Sequence, residues 1–333
     1  MKRIIYAVLL LSSSLTMAQT EPSKLASGNT AAKDSTPPDP DWKLSAITSI
    51  LANQANFTNW QAGGVNSMSY SAYLDLSADY SKDKWSWDND IKLGFGQQFQ
   101  EETDWRKTDD ILHYITKVGY ALDSSKKWRA TGAASFRTQF EEGLEYPNDT
   151  TVSKTSAWLA PGYVTAGLGI EYKPKSYVSF LLTPIATKIT IVQDQELADE
   201  GRYGNEGAVY DENGNITTGG KNVRTEFGAL FGMQFNKEII KNITYKSSLS
   251  LFSNYRENPE NIDVIFNNTL VFKVNKVINF SFVLDMIYDD DIKITELNND
   301  GSVKGVGPRL QIKQLLGFGL SYTIRNFTPP KPK

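Results

Sequence analysis

From residue 42 onward, apolar and polar side chains alternate along the chain with a period of two. In 67–80, Met68, Tyr70, Ala72, Leu74, Leu76, Ala78 and Tyr80 share one face, and Ser67, Ser69, Ser71, Tyr73, Asp75, Ser77 and Asp79 the other. The next run places Trp85, Trp87, Ile91, Leu93, Phe95 and Phe99 against Ser86, Asp88, Asp90, Lys92 and Gln98. Such alternation marks a strand with one apolar side. Twelve runs follow this rule: 42–52, 67–80, 85–99, 109–122, 128–140, 157–172, 177–192, 223–235, 243–255, 262–274, 277–288 and 309–324. Most are about twice the usual five or six residues of soluble strands. A strand tilted by about 40° crosses an apolar band of about 25 Å in roughly ten residues. The expected fold is therefore all-β: a transmembrane antiparallel up-and-down barrel of the outer-membrane type, about twelve strands over 42–327, with a tail at 328–333.

Connection lengths agree. Segments 81–84, 123–127, 173–176, 236–242 and 275–276 are short and carry nine lysines and three acidic residues. The six intervening connections are generally longer and carry 21 acidic and eight basic residues. Short periplasmic turns alternating with long external loops are expected of an outer-membrane barrel. Both termini then face the periplasm and loop 193–222 faces outward; its glycines and polar residues predict mobility. Tyr80, Trp85, Trp87, Tyr120, Trp128, Tyr172, Phe235, Tyr245, Phe280 and Tyr322 fall near the short-turn ends, as an interfacial aromatic girdle would. Two runs are irregular. Pro184 interrupts 177–192 and predicts a bulge, and 42–52 alternates poorly enough to serve either as the twelfth strand or as a periplasmic or plugging segment.

The N-terminus reads as a processing segment. Met1-Lys2-Arg3 precedes an apolar run opening with residues 4–11, and Thr16-Met17-Ala18 supplies a small-residue cleavage site. A signal peptide is expected over 1–18, and a flexible periplasmic linker over 19–41, where Ser, Thr, Ala, Pro and Lys show no period.

Composition narrows the chemistry. The net charge of −3 gives no nucleic-acid footprint. The absence of cysteine excludes thiolate metal sites and thiol nucleophiles, and the single His113 excludes multi-histidine sites. Parity places Asp75, Asp79, Asp88, Asp90, Lys92, Lys117, Arg129, Arg137, Arg224 and Glu226 on the lumen face, as a candidate charged constriction or a salt-bridge network filling the barrel. His113 lies on the same face with no element such as GxSxG to supply a nucleophile, so no catalytic residue is assigned. Asp289, Asp290 and Asp291 offer oxygens suited to Ca²⁺, but read more simply as a solvated acidic loop. Trp60, Gly63, Gly64 and Asn66 form either a sharp turn or an inward-folded plug of the first outer loop.

The segments 56–67 (NFTNWQAGGVNS), 135–140, 159–172, 258–264 and 288–292 together resemble a family of Bacteroidetes outer-membrane proteins known only as a domain of unknown function. The resemblance spans roughly 42–324, with Asn59-Trp60-Gln61-Ala62-Gly63-Gly64 its most specific element. It implies an outer-membrane barrel and no established activity, so no site residue is carried over. The functional expectation is a passive pore or solute channel, or else a non-conducting barrel that scaffolds an envelope complex. Outer-membrane lipid and an envelope protein are the expected partners, without cofactor, metal or nucleic acid.

Overall fold

A computed structural model describes residues 40–56, 65–101, 103, 105–148, 151–297 and 303–327. The expected signal peptide, nearly all of the linker, the C-terminal tail and the loop residues Trp60, Gly63 and Gly64 lie outside the described residues. In chain order the strands are β1 (Trp42–Ala55), β2 (Ser67–Lys82), β3 (Trp85–Gln100), β4 (Arg106–Ala121), β5 (Trp128–Thr138), β6 (Gly143–Asn148), β7 (Thr151–Ser156), β8 (Gly162–Lys175) and β9 (Val178–Ile191). They continue with β10 (Val209–Tyr210), β11 (Ile216–Thr218), β12 (Val223–Ile240), β13 (Ile243–Asn254), β14 (Ile262–Lys273), β15 (Ile278–Tyr288), β16 (Lys293–Leu297), β17 (Val303–Pro308) and β18 (Gln311–Arg325). One short helix, α1 (Gln195–Asp199), lies between β9 and β10.

Twelve of these strands close a barrel in the order β1-β18-β15-β14-β13-β12-β9-β8-β5-β4-β3-β2. Every neighbour is antiparallel, and the ring closes where β1 pairs with β18 from Ser45↔Arg325 to Ala52↔Phe318. The irregular first run is thus the closing strand, not a plug. The remaining strands form hairpins β6–β7, β10–β11 and β16–β17 within long connections at one end, a feature absent from the sequence expectation.

Pro184 creates the expected bulge. Three β9 residues span the same distance as two on each neighbour, between Leu182 and Ile185 against β8 and between Thr183 and Ala186 against β12. The extra residue reverses parity, so Ser179, Leu181 and Thr183 face inward before it and Ala186 and Lys188 after it, all lining the lumen. Two expected boundaries move. Residues 157–161 form a tight turn, with Ala157 and Ala160 exchanging both backbone hydrogen bonds, so β8 begins only at Gly162. The expected turn 236–242 shrinks to Lys241-Asn242, because Lys237, Glu238 and Ile240 continue the ladder to Tyr245, Thr244 and Ile243. Asn242 closes that turn at φ 67°, a left-handed geometry that asparagine tolerates.

The molecule is inverted relative to a soluble domain. Among the described residues only eight hydrophobic side chains are buried, whereas 44 large hydrophobic ones are exposed. On the outside, rings cluster at both ends. Trp42 and Tyr80 (5.2 Å), Trp85 and Tyr120 (5.0 Å) and Trp128 and Tyr172 (4.4 Å) pair beside the short turns. Trp105 packs on Tyr70 and Phe99, and Phe227 on Tyr255, at the other end. Tyr70 and Tyr80 are ten residues apart on β2, which at about 3.3 Å per residue and about 40° tilt separates the girdles by roughly 25 Å. Between them, polar groups on the outer face are satisfied within the sheet. Asn89 Oδ1 accepts from Tyr114 and Thr116, and Asn268 Oδ1 from Tyr245 and Ser247.

Candidate functional site

Strand register brings the charged lumen residues together in rows. Asp79 faces Asp88, which faces Lys117; Asp75 faces Lys92, which faces His113, which faces Arg137. Side chains directly opposite on neighbouring strands lie about 5 Å apart at Cβ, so each row is a continuous polar band around part of the wall.

Three ion-pair clusters result. Near the short turns, Lys117 on β4 bonds Glu171 on β8 and lies 3.6 Å from Asp88, while Arg129 reaches Glu171 at 3.2 Å. The Glu171 side chain is only 1% exposed, so two cations enclose one buried carboxylate. Near the long loops, Lys188 Nζ lies 2.6 Å from Asp263, 3.0 Å from Asp289 and 3.6 Å from Glu226. Arg224 beside it holds Asp291 at 2.6 Å and Glu226 at 3.4 Å. Glu226 is almost fully buried; both its oxygens lack a hydrogen-bond donor, and these two cations balance its charge. The third cluster joins distant parts of the wall. Lys313 on β18 lies 3.0 Å from Asp285 on β15 and 3.2 Å from Asp109 on β4, and Tyr73 donates to Asp109 at 2.6 Å.

Alongside these clusters runs a lumen cavity of about 1900 Å³, lined from Ser81 and Ser176 at the short turns to Tyr203 and Lys293 at the long loops. Of the ten residues placed on this face by parity, Asp79, Asp88, Asp90, Lys117, Arg129 and Arg137 line the cavity. Arg224 and Glu226 belong to the Lys188 cluster. Lys92 lies 5.6 Å from the Tyr73 ring, beside the Lys313 cluster, and Asp75 faces it across the strands. His113 lines the cavity between Lys92 and Arg137, with no hydrogen bond among the described residues.

Two expectations change. The acidic stretch 289–291 is not a solvated loop: Asp289 is buried, and Asp289 and Asp291 turn inward onto Lys188 and Arg224. Asp263, Asp289 and Asp291 place oxygens within 4.8 Å of one another, but an ammonium and a guanidinium already stand among them. Loop 193–222 is packed at its two ends, while 206–219 between them is almost wholly exposed. Asp194 caps α1 by accepting from Leu197 N at 3.2 Å, and Leu197 and Ala198 bury completely against Val192 and Ala160. Asn205 ties the loop to itself through Ala198 O and Lys221 O, and Arg224 donates to Gly204 O at 3.1 Å. Asn66 donates to Glu101 at 2.8 Å, which fastens the end of the first long connection to the next.

The ion pairs of Lys154 with Asp194 (2.7 Å) and Glu196 (2.8 Å) fix hairpin β6–β7 to this loop. Hydrogen bonds to Asp194 and Glu196 hold Lys154 above the ordinary lysine range, and Lys154 holds the Asp194 carboxyl below the ordinary aspartate range. A raised amine stabilises the fold until pH climbs through its folded pKa. A depressed carboxyl stabilises above its ordinary pKa and loses that contribution as pH falls. The anchor is therefore expected to hold from about pH 5 to pH 9 and to release below about pH 4. Release would appear as faster pepsin cleavage within 193–222, and Lys154→Met should give faster tryptic cleavage there at neutral pH.

Glu171, Lys188, Asp263, Asp285 and Lys313 were not singled out in the sequence. Glu171 follows the lumen parity of its run and was legible. Lys188 was not, because the bulge at Pro184 breaks the alternation before it.

Comparison with solved structures finds barrels of very low identity. They include the translocator domain of the autotransporter NalP from Neisseria meningitidis (8% identity, 85% of this chain and 88% of that one, TM-score 0.34). An outer membrane channel from Pseudomonas putida F1 matches at 11% identity over 89% and 100% (TM-score 0.36), and the toluene transporter TbuX from Ralstonia pickettii at 10% over 85% and 88% (TM-score 0.28). TM-scores below 0.5 add nothing to the fold, which rests on the strand pairing itself. No curated protein sequence matches the chain. Residues 52–144, less than a third of the chain and including the Asn59–Gly64 element, match the family described as protein of unknown function DUF3078.

Proposed function

We propose that the chain spans the outer membrane and admits small polar solutes through its lumen. The observation that carries this reading is the inversion of the fold: a polar, charge-lined cavity of about 1900 Å³ inside a closed sheet whose outer surface is apolar. Closure supports membrane insertion because it leaves no backbone edge unpaired. The two girdles, roughly 25 Å apart, match an outer-membrane apolar band, and satisfied outward polar groups such as Asn89 and Asn268 suit a medium without water. Twelve strands enclose more room than the eight that side chains can fill. Purified protein in planar bilayers is expected to give discrete conductance steps in KCl; reproducible silence across salt concentrations would sink the pore. The role proposed for His113 is a passive lumen position, not a base.

One observation favours a non-conducting scaffold instead. Arg202, Tyr203 and Asn205 of loop 193–222 line the cavity, and Arg224 ties both Gly204 and Asp291 at the same end. Under that reading the loop is a cover and a docking surface. Silence in bilayers together with a stoichiometric protein partner in mild detergent would select it.

A further inference from the structure

The short-turn end of the barrel carries a basic rim that the pore does not use. Lys84, Lys126, Lys127, Lys175, Lys241 and Lys276 are all exposed, and among the described residues none makes an ion pair. They come from all five turns: β2–β3, β4–β5, β8–β9, β12–β13 and β14–β15. The acidic residues interspersed with them are partly committed to holding the turns. Asp123 accepts from Trp128 N at 2.9 Å and from Ser125, and Glu238 accepts from Asn242 N at 2.7 Å. The rim also meets the aromatic girdle. Lys84 Nζ lies 5.7 Å from the Tyr120 ring and Lys237 Nζ 4.5 Å from the Tyr177 ring. Amphipathic rings of this kind sit at headgroup depth, so the ammonium groups lie where lipid phosphates would be.

We propose that this rim binds the anionic headgroups of glycerophospholipids in the adjoining leaflet; the proposal rests on the membrane-spanning reading above. The distribution decides between lipid and a protein partner. A docked acidic protein engages one arc of a barrel end, which calls for a patch on one side. Lysines spread over every turn, level with the girdle, fit a planar field of phosphates that surrounds the barrel. The binding also orients the chain, because the opposite end carries the acidic excess.

The full chain would first be floated with phosphatidylcholine vesicles, and then reconstituted in nanodiscs with and without phosphatidylglycerol. Retained lipid would be counted by native mass spectrometry. A lysine beside an anionic surface contributes about fivefold in affinity, so phosphatidylglycerol should be retained at least tenfold over phosphatidylcholine at low salt. High salt should remove that preference. Lys→Gln substitution at the six positions should lose it, whereas Lys→Gln at Lys154, Lys221 and Lys304 of the other end should leave it intact. Lys126→Gln with Lys127→Gln alone should show a smaller loss in the same direction, which keeps the test decisive where the sixfold variant fails to close. Equal retention of both lipids, an equal loss from the control variant, or recovery of a stoichiometric acidic protein in place of lipid overturns the proposal. Failure to float with phosphatidylcholine overturns the membrane reading itself and is seen before any lipid comparison.

Discussion

Replacing Lys188 with methionine is expected to destabilise the barrel by about 3–5 kcal/mol, the usual cost of removing one partner from a buried ion cluster. Lys188 Nζ stands among Asp263, Asp289 and Glu226, and its own side chain is only 13% exposed. Without it, three carboxylates at the long-loop end keep only Arg224, which already serves Asp291 and Gly204. The residues lie on β9, β12, β14 and the connection after β15, so their repulsion acts across several strands of the ring. The measurement is the urea midpoint of tryptophan fluorescence, checked by heat-modifiable gel mobility. Adding Asp263→Asn and Asp289→Asn to the methionine variant should recover much of the loss, because neutral amides remove the unbalanced charge. If Lys188→Met shifts the midpoint no more than an exposed control such as Lys276→Met, the cluster is solvated in a way its burial contradicts.

The same residue shows where sequence reading reaches its limit. Ten of the twelve barrel strands are legible because each sustains alternation along its run, and a two-residue period admits only one register of faces; β1 alternates too poorly for that, and β9 is broken at Pro184. Asp79, Asp88, Lys117 and Arg129 were placed on the lumen by that parity. Their partner Glu171 was within reach of the same rule. Lys188 was not, since an extra residue at Pro184 exchanges the two faces partway along β9. Loop 193–222 failed for a different reason. Val192, Leu197 and Ala198 lie within seven positions, too few apolar residues to read as a core on their own, and Ala160, which completes the cluster that packs the start of the loop, lies 32 residues before Val192. The inward turn of Asp289 and Asp291 likewise depends on Lys188 and Arg224, which belong to other strands.

Gly169→Val is expected to destabilise the barrel by about 3 kcal/mol, comparable to the lower end for the loss of Lys188, for steric rather than electrostatic reasons. The bulge that Pro184 forces on β9 pushes its backbone toward β8. A Cβ on Gly169 would come 2.0 Å from Leu182 O and 2.7 Å from Thr183 Cα. Neither is the end of a flexible side chain, so the backbone of one strand must move. Gly167 shows the same crowding, at 2.4 Å from Thr183 Cγ2 and 2.6 Å from Ile185 O. The bulge and the two glycines opposite it are therefore one unit: proline removes a ladder donor, the strand gains a residue, and the neighbour gives up its side chains to make room. Overpacking a fitted interior typically costs about 1–3 kcal/mol and sometimes more; a contact with backbone belongs at the upper end. In a closed sheet the strain cannot escape to an edge, because β8 and β9 are both held by further neighbours. The expected result is a large loss of the fast-migrating, unheated band on gels, together with a lowered urea midpoint. Gly305→Ala in hairpin β16–β17, where the nearest atom is 3.7 Å from the new carbon, should behave like the unaltered chain. Adding Pro184→Ala to Gly169→Val separates the two causes: if proline alone sustains the bulge, the double variant should fold better than the valine variant.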